Sequence, residues 1–206
     1  SIHLLTWLPN FEILEQFTEF LSKKGRLDYD GRPIFGMSCQ TFTEECMKIS
    51  KDIEIIPAHA WTPYFGIFGS KSGFDSLKDC FQDQLKNIHA IETGISSDPA
   101  MNWRLPELDN KTIVSFSDAH SYWSWRLGRE VTIFDMKELS YKELIKAVRE
   151  NKVAETIEFF PEEGKYHFDG HKDCGIVMSP NEAIENKNIC PVCKKTLTIG
   201  VAHRIE

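Results

Sequence analysis

An apolar run over residues 112–116 leads into Asp118-Ala119-His120, and this pair is where residue type and spacing first suggest chemistry. On an extended strand, residues two apart point the same way, so a carboxylate and an imidazole can grip one ion together. That donor pair suits zinc, manganese or iron better than calcium. Tyr122, Trp123 and Trp125 follow, then Arg126 and Arg129, a mixture able to stack on bases while holding phosphates. Taken alone, Asp-x-His also reads as a strand end with a capping Asp and a partly buried His.

A second constellation lies near the end of the chain, where His171-x2-Cys174 is followed after fifteen residues by Cys190-Pro191-Val192-Cys193. Two-residue knuckles let both ligands of a half-site face one tetrahedral zinc, and so short a stretch has little core to fold it otherwise. His167 is an alternative fourth ligand, and free thiols are the rival reading. Lys172, Lys187, Lys194, Lys195 and Arg204 give this module a basic surface, compatible with nucleic acid or with a solvated face. The other cysteines, Cys39, Cys46 and Cys80, are scattered and read as buried or indifferent thiols of a reducing compartment.

The elements that must position these groups can be read from periodicity. Phe11, Leu14, Phe17 and Leu21 recur at helical spacing, predicting a helix over 10–24 with Asn10 as N-cap and Gly25 as stop. A turn at Asp30-Gly31, a short strand over 34–38 and a helix over 41–49 follow. A core strand over 53–59 ends in His59, a helix spans 75–85, and a strand over 88–91 ends in Glu92. Three successive strands thus end in His59, Glu92 and Asp118/His120, each followed by a long loop. In a parallel β/α barrel these strand ends converge on one rim, which favours a shared metal site.

The loop after Glu92 carries Ser96, Asn102, Trp103 and Arg104, and it reads either as a binding loop or as a solvated connection with one anchoring Trp. Strands over 131–134 and 153–160 flank a helix over 141–150, whose Leu144, Ile145 and Val148 form the buried stripe. At Pro161 the strand-helix alternation stops and composition shifts, dividing the chain into 1–160 and 161–206. With 206 residues either arrangement can bury a core, and the net charge of -7 argues against a general nucleic-acid coat. No apolar run approaches a membrane span and no signal peptide is evident, so a cytoplasmic protein with no membrane partner is expected.

Several longer motifs carry a resemblance: Ile56-Pro57-Ala58-His59-Ala60-Trp61-Thr62-Pro63, Glu92-Thr93-Gly94-Ile95-Ser96-Ser97-Asp98-Pro99, Ser117-Asp118-Ala119-His120-Ser121, Leu127-Gly128-Arg129-Glu130 and the stretch from Thr156 through Glu158 and Gly164 to His167. Through these the chain resembles the PHP family of metal-dependent phosphoesterases, in its endonuclease Q branch. The resemblance implies a distorted seven-stranded β/α barrel with two or three metals (zinc, manganese or magnesium), followed by a zinc-finger module. It implies a DNA repair endonuclease that cuts 5′ of deaminated bases such as deoxyuridine or deoxyinosine, and at abasic sites.

By that likeness His59, Asp118 and His120 are metal ligands, Glu92 is a further contributor, and Ser96 lies near the extruded base. Arg129 and Arg126 would neutralise charge on the phosphoryl oxygens, with Trp125 among the aromatics that hold an unstacked base. Phe116 stands where the branch carries Asn, which bears on lesion preference. The His-x-His strand that opens such barrels has no counterpart, His3 being the early histidine. An incomplete chain that is catalytically inactive or nearly so and self-associates through an open barrel edge is therefore expected. The rival functions are a PHP phosphatase acting on a small phosphate ester and a non-catalytic zinc-ribbon module that binds nucleic acid.

Overall fold

The structure is a computed structural model that describes residues 1–28 and 33–206. The turn read at Asp30-Gly31 lies outside the described residues. The first helix, α1 (Phe11–Ser22), begins where the Asn10 side chain accepts the Ile13 N–H at 2.9 Å. It ends where Lys24 and Gly25 N–H groups turn back onto the Leu21 carbonyl. Helix α2 (Cys39–Ile49) is capped by Ser38, and Phe17 of α1 meets its Phe42 edge to face at 6.1 Å. The strand expected over 34–38 does not form, because Ser38 is used as the extended N-cap that starts α2.

A strand that periodicity did not disclose, β1 (Leu4–Trp7), pairs antiparallel with β2 (Glu54–Pro57), Leu4 opposite Pro57 and Trp7 opposite Glu54. Helix α3 (Leu77–Phe81) starts at a Ser76 cap and gives way at Gln82, whose φ is +50°, to a 3-10 turn over Gln82–Asn87. Next, β3 (Ala90–Glu92) runs parallel to β4 (Thr112–Val114), the two joined through the short helix α4 (Pro99–Asn102). Strand β5 (Val131–Phe134) pairs antiparallel with β6 (Val153–Ile157) across helix α5 (Tyr141–Arg149).

β2 lies beside β3 and β4 beside β6, so the body is an arc of strands in the spatial order β1-β2-β3-β4-β6-β5. Among the described residues the strands form four two-stranded sheets rather than a closed parallel barrel. The fold is accordingly mixed α/β, with β3 and β4 as its parallel pair. The middle strands are apolar on both faces. Ile55, Ile91 and Ile113 point into one core with Leu77 and Phe81 of α3, while Ile56, Ala90 and Val114 point into another with Val148 of α5. Period-two alternation between two cores is why these strands read as continuous apolar runs.

At the starting ends of β2 and β3 a buried polar network is fully paired. Fully buried Glu54 receives Arg149 Nε at 2.8 Å and meets His89 Nδ1 at 2.9 Å. The Arg149 guanidinium reaches on to the Lys51 carbonyl, and the Lys111 ammonium donates to the Ile88 carbonyl. Such a network stabilises only because each group has its partner.

The final stretch adds β7 (Asp169–His171) and β8 (Ile176–Met178), antiparallel, then α6 (Pro180–Glu185) behind a Ser179/Glu182 capping box. Its own small core is Ala183, Cys190 and Leu197. The last helix, α7 (Val201–Ile205), leaves that core and buries Val201 among Ile53, Phe68 and Leu77 of the body. Buried Asp169 takes the Gly200 N–H and pairs with His203, Ser70 donates to the Ile199 carbonyl, and Arg204 reaches Asp75 and the Phe68 carbonyl. No helix among the described residues is long and apolar enough to cross a membrane.

Candidate active rim and metal centre

The finishing ends of β2, β3 and β4 carry the predicted rim residues. His59 adopts φ +35° and Asp118 φ +44°, left-handed conformations that non-glycine residues rarely hold without support. For His59 part of that support is Gly94, itself at φ +68°, whose added Cβ would fall 2.7 Å from the His59 Cβ. The His59 ring is gripped from both sides, by Thr62 Oγ1 on Nδ1 at 2.7 Å and by His3 Nδ1 on Nε2 at 2.9 Å. Carbonyls of His59 and Tyr64 can only accept from the Thr62 hydroxyl, which favours Nδ1 as the protonated nitrogen and leaves the lone pair on Nε2.

Two nitrogens on one ion at about 2.0–2.1 Å lie roughly 3 Å apart. The His3–His59 pair fits that spacing. Burial pushes the His59 pKa down, the nearby Asp118 carboxylate opposes the shift, and His120 adds to it. Asp118 and His120 stand on an exposed turn, their side chains 56% and 53% exposed, with His120 Nδ1 on the Asp118 carbonyl at 2.7 Å. The rim residues His3, His59, Asp118 and His120 do not draw together as tightly as a closed metal site. His3 was missed as a member of this group because nothing near it in sequence signals a ligand. Its role emerges only once β1 lies along β2.

Glu92 is 2% exposed, and both its oxygens are engaged. Oε2 accepts the His59 N–H at 2.5 Å, and Oε1 accepts those of Gly94 at 2.8 Å and Phe116 at 3.3 Å. Burial pushes its carboxyl up to about 7 against the pull of these three donors, and Asp118 adds to the rise. Arg129 donates through Nη2 to the Ser117 carbonyl at 3.0 Å and through Nε to Glu130 at 3.1 Å, with Phe159 beneath it. Its guanidinium thus braces the turn that carries Asp118. Thr132 Oγ1 completes the brace by pairing with both the N–H and the carbonyl of Ser115 at 2.8 Å.

The other predicted contact residues divide by burial. Asn102 is fully buried, its amide accepting from Trp61 Nε1 and donating to Ser97 Oγ and the Asp98 carbonyl. Ser96 is buried too, packed so closely under Gly164 that a Cβ there would lie 2.3 Å from its Oγ. Its carbonyl accepts from His167 Nδ1, which places His167 away from the cysteines. Trp103 is exposed, and Arg104 lines a cleft of about 180 Å³ with Trp61, Phe68 and Arg204. Tyr122, Trp123 and Trp125 form an exposed stack, with ring centroids 5.5 and 5.1 Å apart, and Arg126 is exposed beside it.

The ribbon cluster is closed. Ligand atoms of His171, Cys174, Cys190 and Cys193 all lie within 4.8 Å of one another, and among the described residues this quartet is the group that meets such spacing. One nitrogen and three sulfurs at that separation can hold a tetrahedral zinc. Each knuckle ends in a left-handed residue, Gly175 at φ +65° and Lys194 at φ +62°. The amides of Cys193 and Val192 turn onto the Cys190 sulfur and lower its pKa, while burial and the neighbouring cysteines push Cys174 up to about 11.

No protein-family model matches the chain. It is 31% identical over 153 residues to the uncharacterized protein MJ0043 of Methanocaldococcus jannaschii, which covers 72% of this chain and 19% of that protein. It is 26% identical over its whole length to the uncharacterized protein YqxK of Bacillus subtilis, of which it spans 51%. Among solved structures, the lesion-specific endonuclease PfuEndoQ of Pyrococcus furiosus superposes with a TM-score of 0.84 at 29% identity, over 99% of this chain and 50% of that one. An endonuclease Q complex with a 27-mer duplex bearing an abasic lesion at the active site gives 0.87, also at 29% identity, over 99% and 51%. The mixed α/β fold described above is therefore similar to that of endonuclease Q over almost all of this chain.

Proposed function

We propose that the chain is part of a metal-dependent DNA repair endonuclease of the endonuclease Q type, with a PHP-like body over 1–160 and a zinc ribbon over 161–206. The observation that carries this reading is the likeness over 99% of the chain to a structure whose active site holds an abasic lesion in duplex DNA. The rim geometry supports it independently, because His3 and His59 face each other at ligand spacing beside an exposed Asp118-x-His120 turn. Those four residues are the ones that would hold a divalent ion, zinc, manganese or magnesium. Such an ion, when bound, supplies an acidified water and polarises a phosphate.

The chain's own side chains then divide the remaining work. Arg126, exposed beside the aromatic stack, pairs with the phosphate backbone, while Arg129 holds the Ser117 carbonyl and keeps Asp118 in its turn. The Trp123–Trp125 stack offers an exposed ring face for an unstacked base. Four rim ligands suffice for one ion but not for two or three, so cleavage by this chain alone is expected to be weak.

The experiment compares cleavage of duplex oligonucleotides carrying an abasic site, deoxyuridine or deoxyinosine with hydrolysis of a phosphomonoester, with and without Mn²⁺ or Mg²⁺. A nick 5′ of the lesion that requires metal and is lost in Asp118→Ala supports the reading. Hydrolysis of the monoester alone, or lesion binding unaccompanied by any metal-dependent cut from the complete protein, would overturn it.

A further inference from the structure

Where β2, β3 and β4 splay apart at the rim, the N–H groups of His59, Gly94 and Phe116 lie beyond the regular ladders. Buried N–H groups need acceptors, and for all three the acceptor is the Glu92 carboxylate. One side chain thus ties the ends of three strands. Two of those ends lead directly to left-handed residues with chemistry, His59 itself and Asp118 two residues beyond Phe116. Arg129 and Thr132 hold the outer side of the Asp118 turn, at Ser117 and Ser115, so Glu92 is its inner anchor.

We propose that Glu92 is a positioning residue, fixing His59 relative to the Asp118/His120 turn through backbone hydrogen bonds rather than serving as a metal ligand. This rests on the reading of the rim as a metal site. The carboxylate is placed to do it because Oε2 is committed to one strand and Oε1 to the other two. Glu92→Gln is therefore an asymmetric lesion. The amide oxygen can still serve Gly94 and Phe116, but the NH₂ group then faces the His59 N–H, and two donors repel.

The test follows two readouts in the full chain with its ribbon zinc-filled, for wild type, Glu92→Gln, Glu92→Asp and Asp118→Asn. Amide hydrogen exchange without added metal reports on His59, Gly94 and Phe116, with core amides Ile55 and Ile113 verifying the fold. Mn²⁺ titration followed by EPR reports on the rim. In Glu92→Gln, the His59 amide should exchange at least about tenfold faster while Gly94 stays protected, and Mn²⁺ affinity should fall about 10- to 100-fold with unchanged stoichiometry. Glu92→Asp, one methylene too short to span three strands, should also release His59.

Unchanged His59 exchange together with weakened Mn²⁺ binding would make Glu92 a ligand and overturn the proposal. Faster exchange with unchanged Mn²⁺ affinity would reduce its role to stability and overturn it equally. If wild type and Asp118→Asn alike bind no Mn²⁺ beyond the ribbon, the metal-rim reading itself fails. In that case the exchange data still decide whether Glu92 holds His59.

Discussion

The ribbon and the rim assemble candidate metal-binding side chains in opposite ways. In the ribbon, two short knuckles each deliver a pair of donors within one turn, and the four atoms close to within 4.8 Å of one another. At the rim the donors come from residues 3, 59, 118 and 120, on strands that meet only in the folded body. Backbone that few residues tolerate, together with a buried carboxylate, holds them in place. A closed quartet of protein ligands suits a structural ion, and an open, exposed set suits exchange with water and substrate. Local spacing thus closes one His/Cys quartet, whereas tertiary bracing holds the rim side chains in an open, exposed arrangement.

Breaking the ribbon should have the largest effect. Cys190→Ser is expected to lower zinc content from one per chain to near zero and to unfold residues 167–200, as measured by metal analysis and amide exchange, because the small core there is built on Ala183, Cys190 and Leu197 with two further candidate ligands, Cys174 and Cys193, packed against it. If that segment stays ordered without zinc, the contrast between the two regions fails. At the rim, Asp118→Ala in the complete protein should leave the fold intact yet lower lesion cleavage more than about a hundredfold, with DNA affinity changed far less. A cleavage assay paired with a binding titration checks it.

His3→Ala sharpens the comparison further, since the rim should then bind Mn²⁺ about tenfold or more weakly while the ribbon zinc is untouched. Equal affinity would remove His3 from the site.

The smallest effect concerns the support behind the rim. Burial pushes the Glu158 carboxyl up to about 7, with Asp98 and Glu130 adding to the shift, and neither Glu158 Oε1 nor Glu130 Oε1 has a hydrogen-bond partner among the described residues. A folded-state pKa above the unfolded one means that the protonated form is favoured on folding. Its contribution is complete below the unfolded value of 4.5 and is lost as pH rises through about 7. Glu158→Gln should therefore raise Tm at pH 8 by about 2–4 °C and by much less at pH 5. Thermal melts at the two pH values check the sign, and a larger gain at pH 5 would contradict it.

Legibility followed the same divide. The ribbon ligands could be read from spacing, because both half-sites are local, although the choice between His167 and His171 needed the fold. Strand ends at His59, Glu92 and Asp118 were also readable, since the double-sided burial of β2, β3 and β4 leaves unbroken apolar runs. β1 was not, being four half-buried residues with no period to detect. Hidden along with it was His3. The interior placement of Asn102 was not legible, because polarity in a loop suggests solvent while its amide is paired inside the fold. The sequence also suggested a wholly parallel arrangement, but hydrogen-bond direction depends on which strands become neighbours, and two of the three body pairs are antiparallel.

Val201 has a consequence for how the body's core is closed. This residue follows the four clustered His/Cys side chains in the chain, yet it belongs to the body's core together with Ile53, Phe68 and Leu77. The body's core is therefore closed by a residue that the chain supplies after the cysteine cluster, so truncation before Val201 should open that core although every body strand is retained.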